Sequence, residues 1–99
     1  MPDQTIFRHR TIALGDAPVG YRGQIVALDV SEASGAGLPG SELERRLIEL
    51  GFVEGAQVEL LHQGLFGGDP IAVRVAASTI ALRRREAKAV MVSIGEGVP

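Results

Sequence analysis

One helical segment constrains the fold most, because the rest of the chain is patterned as short strands and turns. The segment spans residues 41–55 and has the sequence SELERRLIELGFVEG. Leu43, Leu47 and Leu50 recur at i, i+4 and i+7, which places them on one face of a helix, and Ile48 widens that face. A helix of about ten residues is unstable alone in water, so other elements must cover its leucine face.

Both ends of this helix are marked in the sequence. Ser41 followed by Glu44 predicts a capping box, in which the two side chains accept hydrogen bonds from the backbone amides of the first turn. Gly51 can adopt the left-handed conformation that ends a helix, and Phe52 can then fold back onto the last turn. These signals predict a helix over about residues 42–50.

Composition limits the class of protein. The 99 residues are 45% hydrophobic, which supports one domain with a modest core. A net charge of −2 argues against general nucleic-acid binding, which needs a basic surface, and the absence of cysteine excludes disulfides. No apolar run reaches the roughly 18 residues of a membrane span, and the N-terminus lacks the features of a secretory signal. We therefore expect a cytoplasmic protein.

Apolar and polar residues alternate in several short segments, as in half-buried strands. The predicted strands span residues 24–30, 56–62, 71–76, 79–82 and 90–94. The glycine-rich segment 63–70 predicts a long turn between two of them, and residues 83–87 suit a single helical turn. About five short strands at close spacing predict a mostly β protein that closes into a small barrel, because closure removes exposed edges.

The segments outside this pattern are expected to be less ordered. Residues 1–13 show little periodicity and are interpreted as a partly ordered N-terminal arm. The glycine-rich residues 31–40 predict a mobile loop that leads into the helix. Residues 95–99 are expected to be a frayed tail, which leaves residues 14–94 as the folded domain.

Three segments, taken together and in this order, resemble the FeoA family. They are RLIELGFVEG at residues 46–55, FGGDPI at 66–71 and IALRRREA at 80–87, within a similarity that runs from about Leu14 to Ile94. The resemblance implies an SH3-like β-barrel over residues 14–94, with one α-helix inserted after the first strand. It also implies an accessory or regulatory role for the FeoB ferrous iron transporter, whose cytosolic part carries a GTPase domain. The same module occurs in iron-dependent repressors of the DtxR type.

The sequence offers little for catalysis or metal binding. We find no nucleophile paired with a base, and the glycine-rich turn lacks the lysine and following helix of a P-loop, so no enzyme is expected. The iron implied by the family would suit imidazole and carboxylate ligands. His62, on the apparent inward phase of a strand, and His9, in the arm, are therefore the candidates for a divalent metal ion. Neither has a close cluster of further ligands, so we expect no cofactor and interpret His62 as a residue of the barrel rim.

Protein interaction has better candidates. Leu65 and Phe66 lie in the glycine-rich turn, where large apolar side chains gain little unless they are buried against a partner or against the barrel itself. Arginine is favoured at interfaces because its planar fork makes bidentate contacts. Three consecutive arginines at residues 83–85 form a basic run, and Arg45 and Glu49 lie on the exposed face of the helix. The predicted partner-binding residues are therefore Leu65, Phe66, Arg83, Arg84, Arg85, Arg45 and Glu49. The alternative for the arginines is a solvated turn in which Arg84 or Arg85 pairs with Glu86 or Glu44.

Three hypotheses for function follow. The first is a non-enzymatic cytoplasmic accessory protein of ferrous iron uptake that docks on a FeoB-type transporter and reaches the membrane only through that partner. The second is a sensing module that binds metal or a short peptide and acts with an iron-dependent regulator. The third is an element that promotes self-association, in which edge strands pair across a two-fold axis to give a homodimer. The sequence leaves open the oligomeric state, the partner surface and any effect on GTP hydrolysis.

Overall fold

The computed structural model describes residues 10–31 and 39–94. These residues form six strands, two α-helices and a short 3-10 turn. In chain order they are β1 (Thr11–Ala13), the 3-10 turn (Leu14–Asp16), β2 (Arg22–Leu28), α1 (Gly40–Glu49), β3 (Gln57–Phe66), β4 (Asp69–Val75), β5 (Ser78–Leu82), α2 (Arg84–Ala87) and β6 (Val90–Ser93). The predicted mostly β architecture with one inserted helix is confirmed, with six strands in place of about five.

The strands lie in the order β1-β6-β2-β3-β4-β5, and all neighbours are antiparallel. Strand β2 belongs to both halves of this arrangement, because residues 22–24 pair with β3 while residues 25–28 pair with β6. Its register shifts between Ile25 and Ala27, and such a bulge bends a strand and increases its twist. The bulge therefore lies where the chain passes from one half of the sheet to the other.

The ends of the strand order differ from the prediction of a closed set of strands. Among the described residues, β1 and β5 are not paired with each other, so the strand order is open. Strand β1 has only three residues, too few to show a period in the sequence. It lies within the segment predicted to be an arm, and it pairs with β6 from Thr11↔Ser93 to Ala13↔Met91.

One apolar core lies inside this fold. No polar or charged residue is buried among the described residues. The buried set consists of Leu14, Ala17, Ile25, Leu43, Leu47, Phe52, Val58, Leu60, Ile71, Val73, Val75, Leu82, Ala87, Ala89, Val90 and Val92. The predicted alternation is seen in β4 and β6, where Ile71, Val73, Val75, Val90 and Val92 are buried and the residues between them are more exposed, because every second side chain of a strand lies on the same face.

Helix α1 covers this core with the predicted leucine face. Leu43 and Leu47 are fully buried, and Leu50 is half-buried at the C-terminal end. Ile48, predicted to widen the buried face, is 46% exposed. That part of the prediction is wrong, because the face of the helix that packs on the core contains the three leucines and leaves Ile48 at its edge.

The two ends of α1 differ in how well the sequence predicted them. Gly51 has a φ of 107°, and its amide donates to Ile48 O at 3.0 Å while the Phe52 amide donates to Leu47 O at 2.9 Å. This is the expected glycine-terminated end. The predicted capping box is wrong, because the helix begins at Gly40 after Pro39 and has no side-chain cap. Ser41 therefore lies inside the first turn, and not at the N-cap.

The β3–β4 hairpin is longer than predicted and its turn is shorter. Strand β3 continues to Phe66, and the turn consists of Gly67 and Gly68, with φ values of 69° and 83°. Two consecutive positive φ values suit a two-residue hairpin turn and explain why both positions are glycine. The prediction of a long turn over residues 63–70 is therefore wrong, since most of that segment is paired strand.

Some predictions fall on residues outside the described ranges. These are the arm over residues 1–9, most of the loop predicted at 31–40 and the tail at 95–99. They stay predictions, as does the domain boundary at Leu14. No helix within the described ranges is long and apolar enough to cross a membrane.

Candidate protein-interaction site

The end of the β3–β4 hairpin carries two large apolar side chains that face solvent. We call residues 65–68 the hairpin tip. Leu65 is 94% exposed and Phe66 is 87% exposed, although both lie in strand β3. Burial of Phe66 in the mouth of its own barrel, which the sequence left as an alternative, is therefore excluded for this structure. Exposed apolar groups of this size are typical of surfaces that bind another protein.

The position of the hairpin tip is set by the side chain of Arg84. Its Nε donates to the carbonyl oxygen of Gly68 at 3.0 Å, and Nη2 donates to Gln63 Oε1 at 2.7 Å. On its other side, Nη1 donates to the carbonyl oxygens of Gly15 at 3.1 Å and Ala17 at 2.9 Å. The guanidinium thus joins the hairpin to the 3-10 turn through four neutral acceptors.

The backbone of Arg84 makes a second connection to the hairpin. Its amide donates to Asp69 Oδ1 at 2.7 Å, and the Arg83 amide donates to Glu86 Oε1 at 3.0 Å. These carboxylates satisfy amides that the start of α2 would otherwise leave free. The predicted single helical turn at residues 83–87 is confirmed as α2 (Arg84–Ala87) with its preceding residue.

Arg83, Arg84 and Arg85 therefore differ in role. Arg84 is half-buried and engaged within the chain, and its partners are backbone carbonyls and Gln63 in place of the predicted Glu86 or Glu44. Arg83 and Arg85 are exposed. Arg83 lines a depression of 370 Å³ together with Phe66, Asp69 and Pro70. The structure thus brings one exposed arginine of the run to the apolar hairpin tip.

The two predicted residues of the helix face lie elsewhere. Arg45 and Glu49 line a separate depression of 350 Å³ on α1 with Glu42 and Arg46. That depression shares no residue with the one beside Phe66. The predicted partner-binding set is therefore split between two surfaces, of which only the hairpin tip presents large exposed apolar groups.

Comparison with known protein families identifies the domain. The model of the FeoA domain matches residues 12–94. The chain belongs to the FeoA family. Comparison with curated proteins gives no significant match.

Solved FeoA structures share this fold. A FeoA protein from Stenotrophomonas maltophilia, described as a prokaryotic SH3 domain protein and solved with zinc, is 35% identical and has a TM-score of 0.62. The match covers 80% of this chain and 86% of that one. A FeoA protein from Chlorobium tepidum is 31% identical with a TM-score of 0.66, covering 89% of this chain and 77% of that one. The SH3-like fold implied by the resemblance is therefore confirmed.

The fold also occurs in a larger regulator. A manganese-dependent transcriptional repressor has a TM-score of 0.69 at 17% identity, and the match covers 87% of this chain and 42% of that one. At this identity the similarity concerns the fold alone.

The histidines of this FeoA-family chain do not form a metal centre in the described residues. His62 is exposed, because an extra residue between Leu60 and His62 shifts the register against β4 and reverses the alternation. Its prediction as an inward-facing residue is wrong. No group of three or more histidine, cysteine, aspartate or glutamate side chains comes together in residues 10–31 and 39–94. His9 lies outside the described residues.

One surface feature of this FeoA-family chain was missed by the sequence reasoning. A groove of 260 Å³ is lined by Ala27 and Leu28 of β2, by Ile48 of α1 and by Val53, with Glu44 and Glu54 beside them. Ile48 was assigned to the buried face, and nothing in the local pattern indicated that β2 would lie beside it. The position of Ile48 beside β2 depends on tertiary packing.

Proposed function

We propose that this chain is a non-enzymatic, cytoplasmic accessory protein of ferrous iron uptake. In this proposal it docks on the cytosolic, GTPase-containing region of a FeoB-type transporter and is peripheral to the membrane through that partner. Membership of the FeoA family supports a role in ferrous iron uptake. A FeoA structure of 23% identity is described as an iron uptake regulatory protein. The S. maltophilia relative is described in terms of ferrous iron transport activation.

The observation that carries the docking proposal is the exposure of Leu65 and Phe66 on a hairpin held in place by Arg84. Covering a leucine and a phenylalanine side chain is worth roughly 1.5–3 kcal/mol each. Because the hairpin backbone is held in place before binding, the conformational entropy lost when a partner covers the tip is mainly that of the two side chains. A fixed apolar tip is therefore an efficient contact for a protein partner.

Arg83 supplies the polar part of this contact, and Arg85, the other exposed arginine of the run, lies in the first turn of α2. Exposed arginines at the edge of an apolar contact form bidentate hydrogen bonds with carboxylates and exclude the wrong partners. The partner surface in this proposal is an apolar pocket with acidic residues at its edge. Arg45 and Glu49, on the separate surface of α1, would form a second and independent contact.

The docking proposal is tested with the purified cytosolic region of the transporter and the full chain. Replacement of both tip residues, Leu65→Thr and Phe66→Thr, should reduce affinity by at least tenfold and lower iron uptake in cells. Val19→Thr is the matched control, because Val19 is an exposed apolar residue outside the tip (46% exposed). Wild-type binding by the double variant, or no binding by the wild type, would show that the tip is not the docking site.

Metal sensing is a second candidate function, supported by the zinc complex of the S. maltophilia relative. In this candidate the chain binds a divalent metal ion and acts with an iron-dependent regulator. Anaerobic calorimetry with ferrous iron tests it. Saturable binding of ferrous iron that is lost in His62→Ala would favour metal sensing over docking. If neither the wild type nor the variant shows a heat of binding, metal sensing is ruled out.

A further inference from the structure

The groove beside α1 offers an apolar surface with an acidic edge. Ile48 is 46% exposed and Val53 is 43% exposed, and both line the groove together with Ala27 and Leu28. The side chains that remain in contact with solvent there are therefore mainly apolar. A surface of this kind gains from being covered.

The charged residues that line the groove have one sign. They are Glu44 and Glu54. The two ion pairs found in the described part of the chain are Arg74–Glu59 and Lys88–Asp16, so neither glutamate is neutralised there. The groove thus combines an apolar wall with two available carboxylates.

The hairpin tip has the complementary character. It presents Leu65 and Phe66, with Arg83 in the adjoining depression. Two carboxylates also lie at this end of the hairpin, Asp69 and Glu86, and both accept hydrogen bonds from backbone amides. These two carboxylates keep their negative charge, but the three arginines at residues 83–85 outnumber them, so the surface beside the tip is net positive and its sign is opposite to that of the groove.

We propose that the hairpin tip of one copy of this chain binds in the β2–α1 groove of a second copy. Leu65 and Phe66 would cover Ile48 and Val53, and Arg83 would face Glu44 and Glu54. The tip and groove depressions share no residue, so a copy whose tip is bound still presents its own groove to a further copy. The association is head-to-tail and extends into rings or chains, unlike a two-fold dimer.

This contact goes beyond the proposed docking on the transporter and does not depend on it. Since both would use the same hairpin tip, a copy whose tip lies in a neighbour's groove is unavailable for docking. A contact built on two apolar side chains belongs to the small, transient class of interfaces. Self-association would therefore regulate docking through protein concentration.

Sedimentation equilibrium over micromolar to millimolar concentrations tests the proposal. The average mass of the wild type should rise with concentration and pass the mass of a dimer. The tip variant (Leu65→Thr, Phe66→Thr) and the groove variant (Ile48→Gln, Val53→Thr) should each remain monomeric. Mixing the two variants leaves one intact tip and one intact groove, so the mixture should form a 1:1 dimer and nothing larger. Val19→Thr should associate as the wild type does.

Each remaining outcome overturns the proposal. A wild type that is monomeric at every concentration shows that the contact does not form. A mass that saturates at two copies shows a closed two-fold dimer, whether or not the groove variant reduces it. A mixture of variants that stays monomeric shows that tip and groove do not meet. Circular dichroism of each variant confirms that the fold is retained, since all the replaced side chains are exposed.

The groove variant also separates this inference from the proposed function. It retains the hairpin tip, so it should bind the transporter's cytosolic region at least as well as the wild type. If the wild type self-associates but does not bind the transporter, the docking proposal is wrong and the self-association proposal holds. If the wild type binds the transporter but stays monomeric, the self-association proposal is wrong and the docking proposal holds.

Discussion

Arg84 donates a hydrogen bond from its Nε to the carbonyl oxygen of Gly68, at 3.0 Å, across sixteen positions of the chain. The same guanidinium reaches Gly15 of the 3-10 turn and Ala17, the residue that follows the turn. Arg84 thus holds the turn of the β3–β4 hairpin in place, and the two apolar residues just before that turn, Leu65 and Phe66, face solvent. The exposed tip is therefore a positioned feature of the fold, held to two other segments.

Replacement of Arg84 should loosen this connection. Arg84→Ala leaves the carbonyl oxygens of Gly15, Ala17 and Gly68 without their donor, which should lower the free energy of unfolding by about 1.5–3 kcal/mol. Arg84→Lys should recover only part of the loss, because a single ammonium cannot reproduce the planar fork. Urea denaturation measures both values.

Arg85→Ala is the matched control for this prediction. Arg85 is exposed, and its side chain makes no hydrogen bond or ion pair within the described residues, so its loss should change stability by no more than about 0.5 kcal/mol. Equal effects of Arg84→Ala and Arg85→Ala would contradict the role assigned to Arg84.

The hairpin should tolerate a side chain at one glycine and reject it at another. A Cβ at Gly64 would lie 1.9 Å from Asp69 O, whereas a Cβ at Gly67 meets no atom within 4 Å. Gly64→Ala should therefore destabilise the fold by about 1–3 kcal/mol through overpacking. Gly67→Asn should be nearly neutral, because asparagine tolerates positive φ. Thermal melts followed by circular dichroism compare the two, and a reversed order would refute the hairpin geometry.

The leucine face of α1 should dominate the helix's contribution to stability. Leu47→Ala removes a fully buried side chain and should cost about 2–5 kcal/mol. Ile48→Ala, at the neighbouring position, removes a side chain that is 46% exposed and should cost less than about 1 kcal/mol. Chemical denaturation of the two variants decides the matter. A larger loss for Ile48→Ala would mean that the helix is rotated on the core.

Replacement of the tip residues should leave the fold unchanged. Leu65 and Phe66 are almost fully exposed, so Leu65→Thr with Phe66→Thr should alter the free energy of unfolding by no more than about 0.5 kcal/mol. Denaturation of the variant at low protein concentration measures this. A loss of several kcal/mol would show that the tip packs within its own chain and would remove the basis for a docking surface.

The site could be predicted from the sequence only in part. The apolar pair and the arginine run stood out because they are unusual in turns, and the structure places Phe66 and Arg83 in one depression. The roles within the arginine run could not be predicted, because the acceptors of the Arg84 guanidinium lie in two other segments, the β3–β4 hairpin and the region of the 3-10 turn. His62 was placed on the wrong face, since an extra residue in β3 between Leu60 and His62 reverses the phase at His62.

Local patterns determined the elements of this protein. The alternation of Ile71, Val73 and Val75 defines a strand because side chains on a strand alternate between faces, and Gly51 ends the helix because it adopts a positive φ at little cost. Only the tertiary structure decided the open order of the strands, the exposure of Ile48 beside β2 and the acceptors of Arg84. These depend on contacts between segments distant in the chain, which a local period does not encode.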